Sequence, residues 1–299
     1  MSSILEIKRK IQVWSEMIKL EHTIFSAPFM LASMLIASDD TWPNPMVFFW
    51  CGLALFGARS SAMTLNRVID AQIDAANPRT ANRAIPAGKF TSGMGLFVSV
   101  IGFVLLTIAA FNLPRICAYL LPIAIIWLSL YSYVKRYSWL CHFVLGIALG
   151  GAVLGGWIAV TGSFSTIPFL LALAVSLWVS GFDILYATQD IDFDRKSKLY
   201  SVPSRFGLEN SMKISQMCHF ICVFLFVWVG YLISLGQQGL VSYGYSVGLI
   251  CVLIGLFYQH KIINEDLRNV NVAFFNANAW ISSLFFLCIL ISKILELFV

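Results

Sequence analysis

The chain has 299 residues, 59% of them hydrophobic and 12% charged, with a mean hydropathy of +0.81. Soluble domains carry roughly 25% charged residues, so a water-soluble globular protein is excluded, and without alternating ten-residue segments so is a lipid-facing barrel. The formal net charge of +5 would suit nucleic acid, but its placement along the chain assigns it to a membrane face instead.

Residues 4–20 place Ile4, Ile7, Ile11, Trp14 and Ile18 at spacings of three and four, with Lys8, Arg9 and Lys10 alongside. This predicts an interfacial amphipathic helix within residues 1–22, its basic residues meeting anionic lipid. Nine apolar runs follow, at 23–38, 46–64, 90–111, 115–133, 140–160, 166–187, 214–234, 239–258 and 272–295. A spanning helix needs about 20 apolar residues, and lipid admits only helices or closed barrels. Residues 23–299 are therefore expected to form one all-α domain of nine transmembrane helices, the first short enough to borrow from its flanks.

Of the 20 Lys and Arg residues, 17 fall at the N-terminus and in the loops near 65–89, 134–137, 195–213 and 260–268. Arg115 and Lys293 fall on the other side, and Arg59 lies inside a span. This bias predicts a cytoplasmic N-terminus, cytoplasmic charged loops and an external C-terminus. No small-residue cleavage site follows the basic start, so no cleaved signal is expected. His22, at the start of the first run, reads as an interfacial polar residue or as one facing a cavity.

The second run ends in the most informative stretch, RSSAMTLNRVIDAQIDAANPRTANRAIPAGK, from Arg59 to Lys89. Asn66, Asp70 and Asp74 are four residues apart. If the helix continues, each step of four turns about 40°, so the three side chains share one face. Oxygen-bearing groups on one face suit a hard cation such as Mg²⁺. Arg79, Arg83 and Lys89 follow at once and suit phosphate oxygens. Arg59 precedes Asn66 by seven residues, about 20° from the same azimuth and about 10 Å deeper. A mid-helix charge costs roughly 2.5–3.5 kcal/mol on insertion scales, so it is expected to face a polar cavity beside these acids.

The fourth run ends with Tyr131 and Lys135 one helical turn apart, where a hydroxyl and an ammonium could hold one oxyanion. An aromatic followed by Lys and Arg is also a common interfacial anchor. In the fifth run Gly146, Gly150, Gly151, Gly155 and Gly156 predict tight helix packing and no chemistry. The sixth ends GFDILYATQDIDFDRKSKLYSVPSRFG, where Asp183, Asp190 and Asp194 share an arc and Asp192 points away. Its spacing echoes the first stretch, with Arg59, Asn66 and Asp70 matched by Asp183, Asp190 and Asp194. That suggests an internal repeat with two acidic mouths facing one another, able to hold two Mg²⁺ on one diphosphate. The seven cysteines lie in or beside apolar runs without metal-ligand spacing, and Cys218 and Cys222 flanking His219 read as small buried residues. Gln237, Gln238 and Gly239 read as an external turn, and Asn271, Asn276 and Asn278 as candidate polar lining.

Taken together, Asn66-x3-Asp70-x3-Asp74 with the run from Arg79 to Pro86, Tyr131-x3-Lys135, and Asp183-x2-Tyr-Ala-x2-Asp190-x3-Asp194 resemble the UbiA superfamily of intramembrane aromatic prenyltransferases. The resemblance covers about 20–290 and is nearest the 4-hydroxybenzoate polyprenyltransferase group, including relatives in the futalosine route to menaquinone that share the NPRTA and SVPxRFG phrasing. One departure is Arg67, directly after Asn66, where many relatives carry an acid. The resemblance implies a bundle around a cavity open to the cytoplasm and to lipid, and Mg²⁺-dependent transfer of a polyprenyl chain from its diphosphate to an aromatic ring carbon, ortho to its hydroxyl. It implies metal ligation by Asn66, Asp70, Asp74, Asp190 and Asp194, and diphosphate contacts from Arg59, Arg79, Arg83, Tyr131 and Lys135. Asp183 is the candidate for deprotonating the acceptor, with a metal-organising or structural role as alternatives.

The implied partners are a polyprenyl diphosphate, a small aromatic acid and membrane lipid, with no nucleic acid and no obligate protein partner. The implied location is a bacterial inner membrane. Rival readings are the same fold acting on another acceptor (a porphyrin, a chlorophyllide or a naphthoate), an ion-coupled transporter, and a membrane scaffold.

Overall fold

A computed structural model describes residues 2–18, 23–39, 41–236, 239–267 and 270–298. Every regular element among them is helical: α1 (Ser2–Ile18), α2 (Thr23–Ala37), α3 (Pro45–Ile69), α4 (Ala71–Ala76), α5 (Ser92–Phe111), α6 (Arg115–Leu130), α7 (Cys141–Thr161), α8 (Thr166–Ala187), α9 (Ile191–Lys196), α10 (Val202–Gly236), α11 (Leu240–Glu265), the single turn α12 (Val270–Val272) and α13 (Asn278–Leu295). Eight of the helical stretches are long and apolar enough to cross a membrane. The remaining predicted span, α2, is only 15 residues long with Pro28 inside it. From Phe29 to Ala37 it is almost wholly buried between α7 and α13. His22, Gln237 and Gln238 lie outside the described residues.

Local chemistry sets the element ends. Pro45 opens α3, where its missing N–H costs nothing, and the Asn44 side chain accepts from the Met46 amide at 2.8 Å. Thr91 caps α5 through the Met94 amide at 3.2 Å. The predicted span from 214 starts earlier, because α10 begins at Val202 and continues past a break at Gly207 (φ 78°) that only glycine adopts without strain.

The core is aromatic. Phe29 of α2 lies 5.0 Å from Trp178 of α8 and 5.2 Å from Phe285 of α13, and Phe226 of α10 closes the group 5.4 Å from Phe285. This ties α2, α8, α10 and α13 together, with α8 the most deeply buried of the long helices. The pair α7–α8 is closed by small residues, as the glycine spacing predicted. A Cβ on Gly146 would strike the Ser176 carbonyl oxygen and the Ser180 hydroxyl, and one on Gly150 would strike the Ser176 hydroxyl and the Ala172 carbonyl. Gly146→Ala should therefore destabilise the protein by about 1–3 kcal/mol, the usual cost of overpacking, read as a lowered thermal midpoint in detergent. An unchanged midpoint would show that the two backbones do not meet as described.

Helix α1 docks its apolar side on the bundle. Met17 and Ile18 bury against Phe90, Met63 and Ile85, and Trp14 Nε1 donates to Thr64 Oγ1 at 3.1 Å. Lys8 and Arg9 stay exposed. Asn271 and Asn276 are exposed, whereas Asn278 is buried.

Candidate active site

Asn66, Asp70 and Asp74 do not lie on one unbroken helix. Helix α3 stops at Ile69, Asp70 takes φ −91° and ψ 7°, and the six-residue α4 carries Asp74. The i→i−4 bonds persist across the step, from Asp70 N–H to Asn66 O at 2.9 Å and from Asp74 N–H to Asp70 O at 2.8 Å. The second motif repeats the device. Thr188–Asp190 tightens to a 3₁₀ turn, Asp190 takes φ −109° and ψ 10°, and the six-residue α9 carries Asp194. Asp70 thus corresponds to Asp190 and Asp74 to Asp194, four residues away from the register that the sequence spacing suggested. Asp192 is exposed, as expected of the residue pointing away.

The segment after Asp74 bridges the two motifs. It is a run of tight turns in which Asn77 Oδ1 accepts from the Arg79 amide at 3.0 Å and Thr80 Oγ1 donates to the Asp74 carbonyl at 3.0 Å. This folding aims Asn77 and Arg79 at the other motif. Asn77 Nδ2 donates to Asp190 Oδ1 at 2.9 Å, and the Arg79 guanidinium forms a two-pronged pair with the same carboxylate, through Nε at 2.9 Å and through Nη2. Arg79 also bonds the Tyr186 hydroxyl at 3.0 Å and lies over its ring. Burial lowers the affinity of the Arg79 guanidinium for its proton, and the Asp190 carboxylate more than reverses this, holding it above its ordinary pKa. Arg83 pairs with Asp74 at 2.7 Å. Lys89 is exposed.

Asp70, 2% exposed, receives Lys135 at 2.8 Å and Arg136 at 3.2 Å. Asn66 Nδ2 donates to Asp70 Oδ2 at 3.0 Å and to Ser132 Oγ at 3.1 Å. Asp194 accepts from Ser201 Oγ at 2.8 Å and lies in electrostatic range of Asp190 and Lys135. The two acidic rims are therefore one cluster, joined through the cations between them.

One predicted grouping is corrected. Tyr131 and Lys135 do not share a face, because Tyr131–Arg136 is a 3₁₀ stretch with three residues per turn. The Tyr131 hydroxyl turns instead to the Ala62 carbonyl at 3.2 Å. Among the described residues no three acidic, His or Cys groups stand close enough to hold one ion in the arrangement seen. The reason is charge balance. At a membrane edge an ionised carboxylate needs a partner, and here Asp70, Asp74 and Asp190 each take the nearest cation. Arg67 belongs to the same balance, half-buried with Nη1 3.4 Å from Asn66 Oδ1 and 4.0 Å from Asp74 Oδ2. The donor set still fits a hard divalent ion, since Asp74 Oδ2 is buried without a hydrogen-bond partner and every candidate ligand presents oxygen. Arg59 is half-buried in α3, in electrostatic range of Tyr131.

The fifth span, expected to carry no chemistry, supplies His142. Its Nδ1 lies 2.6 Å from Asp183 Oδ2. A buried polar side chain at the start of an apolar run was the available signal. Arg136, Ser132, Asn77, Tyr186 and Ser201 were also missed, since their partners are far away in sequence. His219 of α10 bonds His260 of α11 at 2.7 Å, and Cys218 and Cys222 are buried beside it.

The described residues thus form a helical bundle suited to a membrane, with acidic and basic side chains interleaved at one end. The model of the UbiA prenyltransferase family matches residues 26–289, and the chain is a member of that family. The 4-hydroxybenzoate octaprenyltransferase of Tolumonas auensis is 28% identical over 248 residues, 83% of each chain. That of Klebsiella pneumoniae is 31% identical over 222 residues, 74% of each chain. Among solved structures, an apo UbiA homolog from Aeropyrum pernix K1 superposes with a TM-score of 0.81 at 29% identity, covering 91% of this chain and 98% of that one. A UbiA homolog from Archaeoglobus fulgidus, solved with GPP and Mg²⁺, shares the fold with a TM-score of 0.70 at 15% identity, covering 93% and 99%. This chain is thus an integral membrane prenyltransferase, and the transporter and scaffold readings fall away.

Proposed function

We propose that the chain transfers a polyprenyl group from its diphosphate to a ring carbon of an aromatic acid, 4-hydroxybenzoate or a dihydroxynaphthoate, at the cytoplasmic edge of a bacterial inner membrane. The observation that carries the reading is the pairing of each rim's carboxylates with the cations a diphosphate would need. Asp70, Asp74 and Asp190 are held by Lys135, Arg83 and Arg79. The same carboxylates would offer oxygen ligands to Mg²⁺, and the cations that now hold them would offer donors to the phosphate oxygens.

Asn66, Asp70, Asp74, Asp190 and Asp194 would hold the metal, in two sites matching the two rims. Bound there, Mg²⁺ supplies charge neutralisation to the leaving diphosphate. Arg79, Arg83 and Lys135 donate to the same oxygens, with Arg59 deeper in α3. Tyr186, under the Arg79 guanidinium, and the other aromatic side chains of the bundle can shield an allylic cation while lipid-facing helices exclude water. The bond from the prenyl carbon to the diphosphate oxygen breaks first, its electron pair leaving with the diphosphate, and the acceptor ring carbon then bonds to the allylic cation. Asp183 accepts the phenolic proton, a loss that raises the ring's nucleophilicity, and rearomatisation passes the ring proton to water. The names of the relatives favour 4-hydroxybenzoate and a long chain.

Incubation of the purified protein with labelled prenyl diphosphates of graded length, a panel of aromatic acids and Mg²⁺, read by mass spectrometry, tests this. A C-prenylated acid whose formation stops with EDTA is expected. Formation of product in EDTA, or none with any acid, would overturn it.

A further inference from the structure

We propose that His142 is a positioning residue for the acceptor half of the reaction, holding one oxygen of Asp183 in place and aiming its second oxygen at the acceptor. The proposal rests on the reading of Asp183 given above. His142 is the second residue of α7 and is 3% exposed. Its two ring nitrogens are both engaged: Nδ1 lies 2.6 Å from Asp183 Oδ2, and Nε2 lies 3.3 Å from the backbone nitrogen of Val202. A backbone amide can only donate, so Nε2 accepts, and the single ring proton is assigned to Nδ1. There it points at Asp183 Oδ2.

The rest of the contact makes the geometry stiff. The His142 carbonyl accepts from Ser180 Oγ at 3.3 Å, one turn before Asp183 on α8. Gly146, one turn after His142, lets the backbones of α7 and α8 meet. Val202 follows Ser201, the residue that bonds Asp194. Ser201, just before α10, and Val202, its first residue, therefore hold a carboxylate of the diphosphate rim and the ring that orients the acceptor-side carboxylate. Asp183 Oδ1 has no hydrogen-bond partner among the described residues, and the side chain keeps 21% exposure, leaving that oxygen to receive a proton. The arrangement inverts the familiar hydrolytic triad: the histidine orients and the carboxylate reacts.

The test compares His142→Leu, His142→Asn and Asp183→Asn in purified protein. Asparagine places its amide nitrogen where Nδ1 stands, so it can restore the donor, whereas leucine cannot. His142→Leu should lower kcat by about 10²-fold, the low end of general-base effects, while the KM for the prenyl diphosphate stays within about twofold. His142→Asn should recover most of that loss. If leucine prevents stable insertion, His142→Phe, a ring without a donor, carries the same expectation. A fully active Leu or Phe variant overturns the proposal, as does an Asn variant no better than Leu. Asp183→Asn separates the layers: an inactive Asp183→Asn beside an active His142→Leu sinks only the positioning role, and an active Asp183→Asn sinks the reading of Asp183 beneath it.

Discussion

Asp190→Asn and Asp70→Asn should each lower Mg²⁺-dependent prenyl transfer by about 10²–10³-fold, the scale set by losing one preorganised charge contact in a closed site, while the protein still inserts and folds. Asparagine keeps the shape and most of the hydrogen bonds, so the change falls on charge. At Asp190 it leaves Arg79 with a neutral partner, and at Asp70 it leaves Lys135 and Arg136 so. Because the two rims act on one leaving group, the effects should be strongly non-additive, the double variant being little worse than either single one. Steady-state rates of the two single variants and the double variant check this. Multiplicative losses would mean that the rims work independently.

Arg79→Ala should produce an opposite pair of changes. The guanidinium is both the largest hydrogen-bonding partner of Asp190 and, in the role proposed above, a donor to diphosphate. Its removal should lower turnover by about 10²-fold and should raise the affinity of the diphosphate-free protein for a divalent cation, because Asp190 loses its internal counter-charge. Arg79→Lys should fall between, keeping charge but losing the two-pronged geometry. Calorimetric titration with Mn²⁺, beside the rate, is the check. A variant that loses both rate and metal affinity would show that Arg79 supports the fold of the rim rather than competing for it.

The parts of this design that were legible in the sequence are the local ones. The apolar runs located the long helices, and α8 matched its run at both ends, Thr166 and Ala187, although α10 begins well before its run, at Val202. The four-residue spacing of Asp70–Asp74 and Asp190–Asp194 survived, since the i→i−4 bonds at Asp74 persist where α3 itself stops. What could not be read were features created by partners far along the chain. Asp70 leaves helical geometry where Lys135 and Arg136 meet its carboxylate, and nothing within four residues of Asp70 announces them. Asn77 and Arg79 find Asp190 more than a hundred residues away. The 3₁₀ stretch at Tyr131 also defeated the α-helical face argument, which presumes 3.6 residues per turn. His142 was readable in kind, as a polar group in an apolar span that must have a partner, but not in the identity of that partner.

The central claim is that both acidic rims grip one metal-bound diphosphate. Electron paramagnetic resonance of Mn²⁺, titrated into purified protein with an unreactive thiodiphosphate analogue of the prenyl substrate, reads it most directly. Wild-type protein should take up Mn²⁺ more tightly when the analogue is present, and Asp70→Asn and Asp190→Asn should each abolish that increase. Retention of the full analogue-dependent uptake by either variant would mean that a single rim suffices, and would contradict the account.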